Sequence, residues 1–300
     1  MYYSMNFIEF CAAHKLELYP VNISTVVRYL THYTKKVGSY STIANVISAI
    51  SKFYSLSGFK LDVSHPLIDL LLKAAKRTMS STSKPKSPIQ VAHIILIKNV
   101  IDMSNVTHRV FIVALIFQFF TCLRKSNLLP VNTSCKNLKC IKRQDIVQSD
   151  GSLIVNLQWS KTLQNKQDIF QVCIAPTQST VLNPVLMYLQ FISEFPLPGS
   201  FPAFSFISQG KLQVLTQRVY TQLLKHYLEV IGVPSLTFST HSVRRGSSSF
   251  LFESGCDTHL LKHHGTWKSA SYQKYLTFNH KQKLIPTQRM HDKIQSMFGL

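Results

Sequence analysis

The sequence predicts a mainly α chain with one small antiparallel sheet, an α+β fold in two domains. Three observations carry this. Apolar residues recur at helical spacing over most of the 300 residues. Alternating apolar runs of strand length cluster only between residues 145 and 174. A stretch rich in Ser, Lys and Pro, residues 73–88 (KAAKRTMSSTSKPKSP), contains no acidic residue and reads as an exposed connector. The expected domains are residues 1–87, ending in a basic linker at about 77–88, and residues 88–300.

Taken in order, residues 2–14 place Tyr3, Phe7, Ile8 and Cys11 on one helical face. Asn22 or Ser24 can cap a helix through Val26, Val27 and Leu30, and Ile43, Val46, Ile47, Ile50 and Phe53 mark a third. Pro66 to Ala75 is a fourth candidate. Beyond the linker come expected helices near 89–103 and 108–123, then strands near Asp145–Gln148, Leu153–Trp159 and Ile169–Ile174, with Ser149-Asp150-Gly151 as the first turn. Helices follow near 183–195, with Asn183 as cap and Pro184 in first position, and near 216–231, 240–254, 257–264 and 269–276. Gly232, Gly255 and Gly265 stand where helix C-terminal caps belong.

Charge narrows the partners. Lys and Arg number 33 against 13 Asp and Glu, a formal charge of +20, which favours a polyanion: nucleic acid or an anionic membrane surface. No basic amphipathic helix stands out. The most apolar run, Val110 to Leu123, contains Gln118 and Thr121 and falls short of the roughly 20 residues a span needs, so no membrane partner is expected. No secretory signal is visible at the start, and six scattered cysteines point to a reducing compartment, nucleus or cytosol. Cys135 and Cys140 lack a second ligand pair at zinc spacing, so no metal site is expected there.

The carboxylates are too sparse for chemistry built on divalent ions, since none lies between Asp69 and Asp102 and Asp145, Asp150 and Asp168 fall around strand turns. Basic residues are better placed. His241 and Arg244 lie three apart at the start of a helix, where free N–H groups and the dipole favour an anion; a capping Thr240 with a solvated His and Arg is the plainer alternative. Arg124 follows the apolar helix, where it can snorkel to solvent or point at a charged ligand. Lys161 falls at a hairpin turn, where it can be solvated or reach over a substrate as proton donor. Tyr272 and Tyr275 follow in GTWKSASYQKY, and a phenol with a pKa near 10 attacks only if cations stabilise the developing phenolate or a base takes its proton. Lys73, Lys76, Arg77, Lys84, Lys86, Lys125 and Arg245 are candidate contacts to a nucleic-acid backbone.

In order, Arg124, Lys161, His241-x-x-Arg244, Trp267 and Tyr275 resemble the constellation of the tyrosine-recombinase (phage-integrase) family. The segments LRKSNLLP, WSKTLQ, THSVRRG and GTWKSASYQKYL look most like the eukaryotic Crypton and DIRS-like mobile-element recombinases, over roughly residues 88–290. YSTIANVISAISKFYSLSG is similar to the family's helical core-binding domain. The resemblance implies a two-domain DNA breaking and rejoining enzyme, active in the nucleus without metal, ATP or other cofactor. It implies duplex DNA as partner and a homotetramer on paired sites. Tyr275 would be the nucleophile forming a 3′-phosphotyrosine, with Arg124 and Arg244 on the phosphate oxygens. Lys161 would protonate the leaving 5′-oxygen, His241 would assist proton transfer and Trp267 would hydrogen-bond the phosphate. The chain departs from the pattern at Asn127, where many members carry an acid, and at Thr266, where Arg is common. Its Trp267-to-Tyr275 spacing is also one residue short of many bacterial members, which keeps Tyr272 as the alternative nucleophile. A DNA-binding protein that has lost catalysis is the alternative function.

Overall fold

The computed structural model describes residues 2–79, 86–133, 139–158, 170–177, 181–267, 272–273, 276, 284, 287, 290 and 295. The chain forms two compact units, Met1–Pro85 and Lys86–Leu300. The sequence places the boundary two residues later. The reason for the difference is that the backbone N–H of Ser87 donates to Thr237 and that of Ile89 to Ser242, which ties this stretch to the second unit.

Four helices make the first unit: α1 (Tyr2–Ala13), α2 (Ile23–Thr34), α3 (Tyr40–Leu56) and α4 (Pro66–Thr78). Asn22 caps α2 by accepting from the Ser24 N–H at 2.8 Å. The apolar stripes read from the sequence meet in one core around Phe7, Val26, Leu30, Ile43, Ile50, Tyr54 and Ile68. Lys76 and Arg77 occupy the last turn of α4, where cations oppose the negative end of the helix dipole.

The second unit begins with α5 (Val91–Val100), α6 (Val106–Thr121) and the short α7 (Lys125–Leu128). It continues through β1 (Ile146–Ser149), β2 (Ser152–Leu157), β3 (Phe170–Ile174), α8 (Pro184–Glu194), β4 (Ser205–Ser208), β5 (Lys211–Val214), α9 (Gln217–Val230), α10 (Thr240–Glu253) and α11 (Thr258–His264). Helix α6 is apolar all round, and that composition is stable only inside a core. It packs against α8, α10, α9 and the inner face of an antiparallel sheet of order β1-β2-β3. Leu153, Val155 and Leu157 alternate inward along β2, and Val172 and Ile174 along β3. No described helix is long and apolar enough to cross a membrane.

Several boundaries differ from the sequence reading for local reasons. Helix α6 starts at Val106 because Asn105 caps it through Thr107 and His108. It stops at Thr121 because Cys122 turns left-handed, with φ 53° and ψ 18°. Helix α5 ends at Val100, where Ile101 is already extended. The β4–β5 hairpin was not expected; it turns on Gln209 and Gly210, both at positive φ. The expected helix near 269–276 lies outside the described residues apart from Tyr272, Gln273 and Leu276.

Gly246 on α10 makes the close approach of the 86–89 stretch possible, since a Cβ there would sit 1.7 Å from the Ile89 carbonyl oxygen. Gly246→Ala is therefore expected to lower the unfolding free energy by about 1–3 kcal/mol or more, the cost of overpacking. Gly38→Ala is a suitable control, since nothing lies within 4 Å of its would-be Cβ. Denaturant titration of both variants checks this.

Candidate active site

The site is built where the end of α6 meets the starts of α7 and α10. Ser239 caps α10, accepting from the His241 N–H at 3.2 Å, while Ser242 Oγ accepts from the Ser239 N–H at 2.9 Å. This is a reciprocal cap. The capping residue is thus Ser239 and not Thr240, which leaves His241 on the exposed side of the first turn.

Arg244 points the other way. It is only 1% exposed, although its spacing from His241 suggests a shared solvent face. One terminal nitrogen donates to the Cys122 carbonyl and the other to the Gly265 carbonyl. Its guanidinium carbon lies 4.1 Å from the centroid of the Trp267 ring. A desolvated cation–π contact of this kind is worth about 2 kcal/mol. The left-handed backbone at Cys122 turns the chain and aims that carbonyl at Arg244. Gly265 is needed because the Trp267 ring lies where a Cβ would be, 1.6 Å from Cζ3. Gly265 itself has φ −81°, and the positive φ at this helix end falls on Thr266.

Two residues past Cys122, Arg124 is the residue before α7, and its buried Nη1 finds no hydrogen-bond partner. Neither ion pair among the described residues, Lys73–Asp69 at 2.7 Å or Arg109–Glu194 at 2.7 Å, uses it. Lys125 extends its ammonium to Thr221 Oγ1 of α9 at 3.1 Å, and burial lowers its pKa. His241 is held below its ordinary range by partial desolvation first, then by Arg244, Arg124 and Lys125. Three cations thus act on one imidazole.

Other expected positions are distributed. Trp267 packs in a small apolar cluster with Cys122 and Leu261, and Tyr272 joins it with ring centroids 6.2 Å apart. Tyr275 and Lys161 lie outside the described residues, as do Lys84 and Cys135. Lys86 donates to the Leu236 carbonyl at 2.6 Å and Arg245 to the Lys86 carbonyl at 3.1 Å, so both hold the 86–89 stretch against the unit. Lys73 pairs with Asp69 on α4. Asn127 and Cys140 are both buried.

One surface was missed. An open groove of about 430 Å³ is lined by Lys125, Gln217, Arg218, Thr221, Gln222 and Lys225. The signal was available: Arg218, Gln222 and Lys225 recur at i, i+4 and i+7, opposite the buried Tyr220, Leu224 and Tyr227. A larger cleft of about 630 Å³ lies in the first unit, lined by Asn6, Glu9, His14, His32 and Lys36 among others.

No protein-family model matches the sequence, and no curated protein matches it. Solved structures do. The Tn1549 transposon integrase in complex with transposon right end DNA is 15% identical, with a TM-score of 0.63 over 96% of this chain and 92% of that one. XerH site-specific recombinase bound to its difH substrate is 12% identical, with a TM-score of 0.59 over 94% and 75%. A lambda integrase dimer bound to a core site is 16% identical, with a TM-score of 0.55 over 91% and 87%. The chain therefore has the mainly α, small-sheet fold of these DNA-bound integrases and recombinases.

The cation cluster makes a direct expectation for His241: its imidazole titrates below 6.5, so it is neutral at pH 7 and charges only as pH falls further. Removing one of the depressing charges with Lys125→Gln should raise that pKa. Ring-proton chemical shifts followed across pH check both the position and the direction.

Proposed function

We propose that this chain cuts and rejoins duplex DNA as a tyrosine recombinase, of the mobile-element kind that its motifs resemble. The observation that carries the reading is the gathering of Arg124, Lys125, His241, Arg244 and Trp267 at one junction, in the fold of DNA-bound recombinases. An unpartnered guanidinium nitrogen beside a neutral imidazole and a fixed second guanidinium suits a phosphodiester better than a metal-bound water.

In this reading the Tyr275 Oη attacks phosphorus, and its proton passes towards neutral His241. The O–P bond forms as the bond to the 5′-oxygen breaks, and Lys161 supplies the proton that the leaving oxygen needs. One phosphodiester is exchanged for another, so rejoining needs neither ATP nor metal. Arg124 takes a non-bridging oxygen as charge builds, Arg244 acts on it as a fixed buried charge while holding the Cys122 and Gly265 carbonyls, and Trp267 offers its indole N–H. The groove along α9 would follow the DNA, with Lys125 and Lys225 on phosphates and Arg218 and Gln222 within reach of base edges. The first unit would serve as the core-binding domain, and a tetramer on paired sites in the nucleus completes the proposal.

The test uses the full chain, with duplexes it selects from a randomised pool, then nicked and incubated in EDTA. Wild type should give a covalent DNA adduct stable to denaturant and Tyr275→Phe none, while Arg124→Ala or Arg244→Ala should slow it by about 10²–10³-fold. Binding without an adduct would leave a non-catalytic DNA-binding protein. An undiminished adduct with Tyr275→Phe would move the nucleophile elsewhere.

Lys225→Ala should weaken binding across sequences and lower the slope of log K against log salt by about one. Fluorescence anisotropy over a salt series reads that slope.

A further inference from the structure

Two consecutive imidazoles close α11, and none of the roles above uses them. The sequence suggests nothing more for them than a favourable place at a helix C-terminus. The structure gives each a separate partner. His264 Nε2 lies 2.7 Å from the Phe120 carbonyl oxygen in the last turn of α6. A carbonyl only accepts, so the ring donates, and its proton is on Nε2. Burial, first among the causes, pushes its pKa down, so the donor is the neutral tautomer. The His263 ring packs against Phe170, with centroids 4.6 Å apart and planes at 38°. Phe170 opens β3. The residue after His264 is Gly265, just past the end of α11, whose carbonyl accepts from Arg244.

Two neighbours in sequence therefore meet the two sides of the site. We infer that His264 is a positioning residue for strand cleavage. It sets the register of the α6 end, and with it Arg124, against Arg244. The inference rests on the recombinase reading above. Ordinary packing is the competing account, and it makes a different forecast: a leucine would fill the His264 site without its N–H.

The full chain and its selected nicked duplexes again serve, in EDTA. His264→Leu should slow adduct formation at saturating DNA by about tenfold or more, with half-saturation unchanged. His264→Gln, which keeps a side-chain N–H, should restore the rate to near wild type. A general packing defect would not be relieved by glutamine, which fills the site less well than leucine.

Equal loss in His264→Gln and His264→Leu would overturn the His264 role, as would full activity in His264→Leu. If His264→Leu does not fold, His264→Gln still decides. If wild type forms no adduct, the recombinase reading fails, and nitrogen NMR decides the positioning claim by itself. It requires an Nε2–H tautomer on His264 at pH 7 and Arg244 protons slow to exchange in wild type and in His264→Gln. A protonated or Nδ1–H ring, or fast exchange, would end it.

Discussion

The second unit is organised around one buried cation. Arg244 joins the end of α6 to the end of α11 by donating to the Cys122 and Gly265 carbonyls, and its guanidinium lies over the Trp267 ring. Desolvating a guanidinium costs several kcal/mol unless its donors are met. The surrounding chain meets the two terminal nitrogens with backbone carbonyls, and this fixes local geometry that would otherwise be unfavourable. Cys122 takes a left-handed conformation that non-glycine residues rarely adopt. Gly265 is left without a side chain so that the indole can lie over it. The same bend releases Arg124 two residues later, so a single constraint orients both arginines.

The last turn of α6 is secured on several sides for the same reason. Its final carbonyls have no helical donor of their own. Ser247 of α10 donates to Phe119, His264 of α11 to Phe120 and Arg244 to Cys122, while Gln118 folds back to the Leu123 carbonyl at 2.9 Å. Gln118 is in turn fixed by the Tyr220 hydroxyl of α9 at 2.5 Å. A helix end that in isolation would be hydrated is thus the meeting point of four helices. Polar groups that looked out of place in an apolar run are what join it to its neighbours.

Much of this was legible in the sequence. Periodicity located α6, α9 and α10 to within a few residues, because each has a strong apolar stripe or a clear cap. The ordered set of Arg124, His241, Arg244 and Trp267 was visible as a motif. Burial of Arg244 was not, because spacing of three along a helix places His241 and Arg244 alike, and only the tertiary position of Gly265 separates them. The β4–β5 hairpin escaped because its strands are four residues each and its turn is Gln-Gly, a weaker signal than Asn-Gly. The partners of His263 and His264 lie 93 and 144 residues away along the chain, beyond any local pattern.

The same economy recurs away from the site. Arg143, also buried, donates to the Phe195 and Ser205 carbonyls and lies over the Phe191 ring at 5.4 Å. In both buried guanidiniums the terminal nitrogens thus donate to backbone oxygens and the group lies over an aromatic ring. In a chain with 33 basic and 13 acidic residues this has an electrostatic consequence. Carboxylates paired to these arginines would cancel their field, whereas carbonyl dipoles satisfy the N–H groups and leave the net charge in place. Within a Debye length of roughly 8 Å that charge still acts on an approaching phosphate. A scaffold held together by carbonyls and aromatic rings can therefore be rigid inside while remaining strongly positive towards its partner.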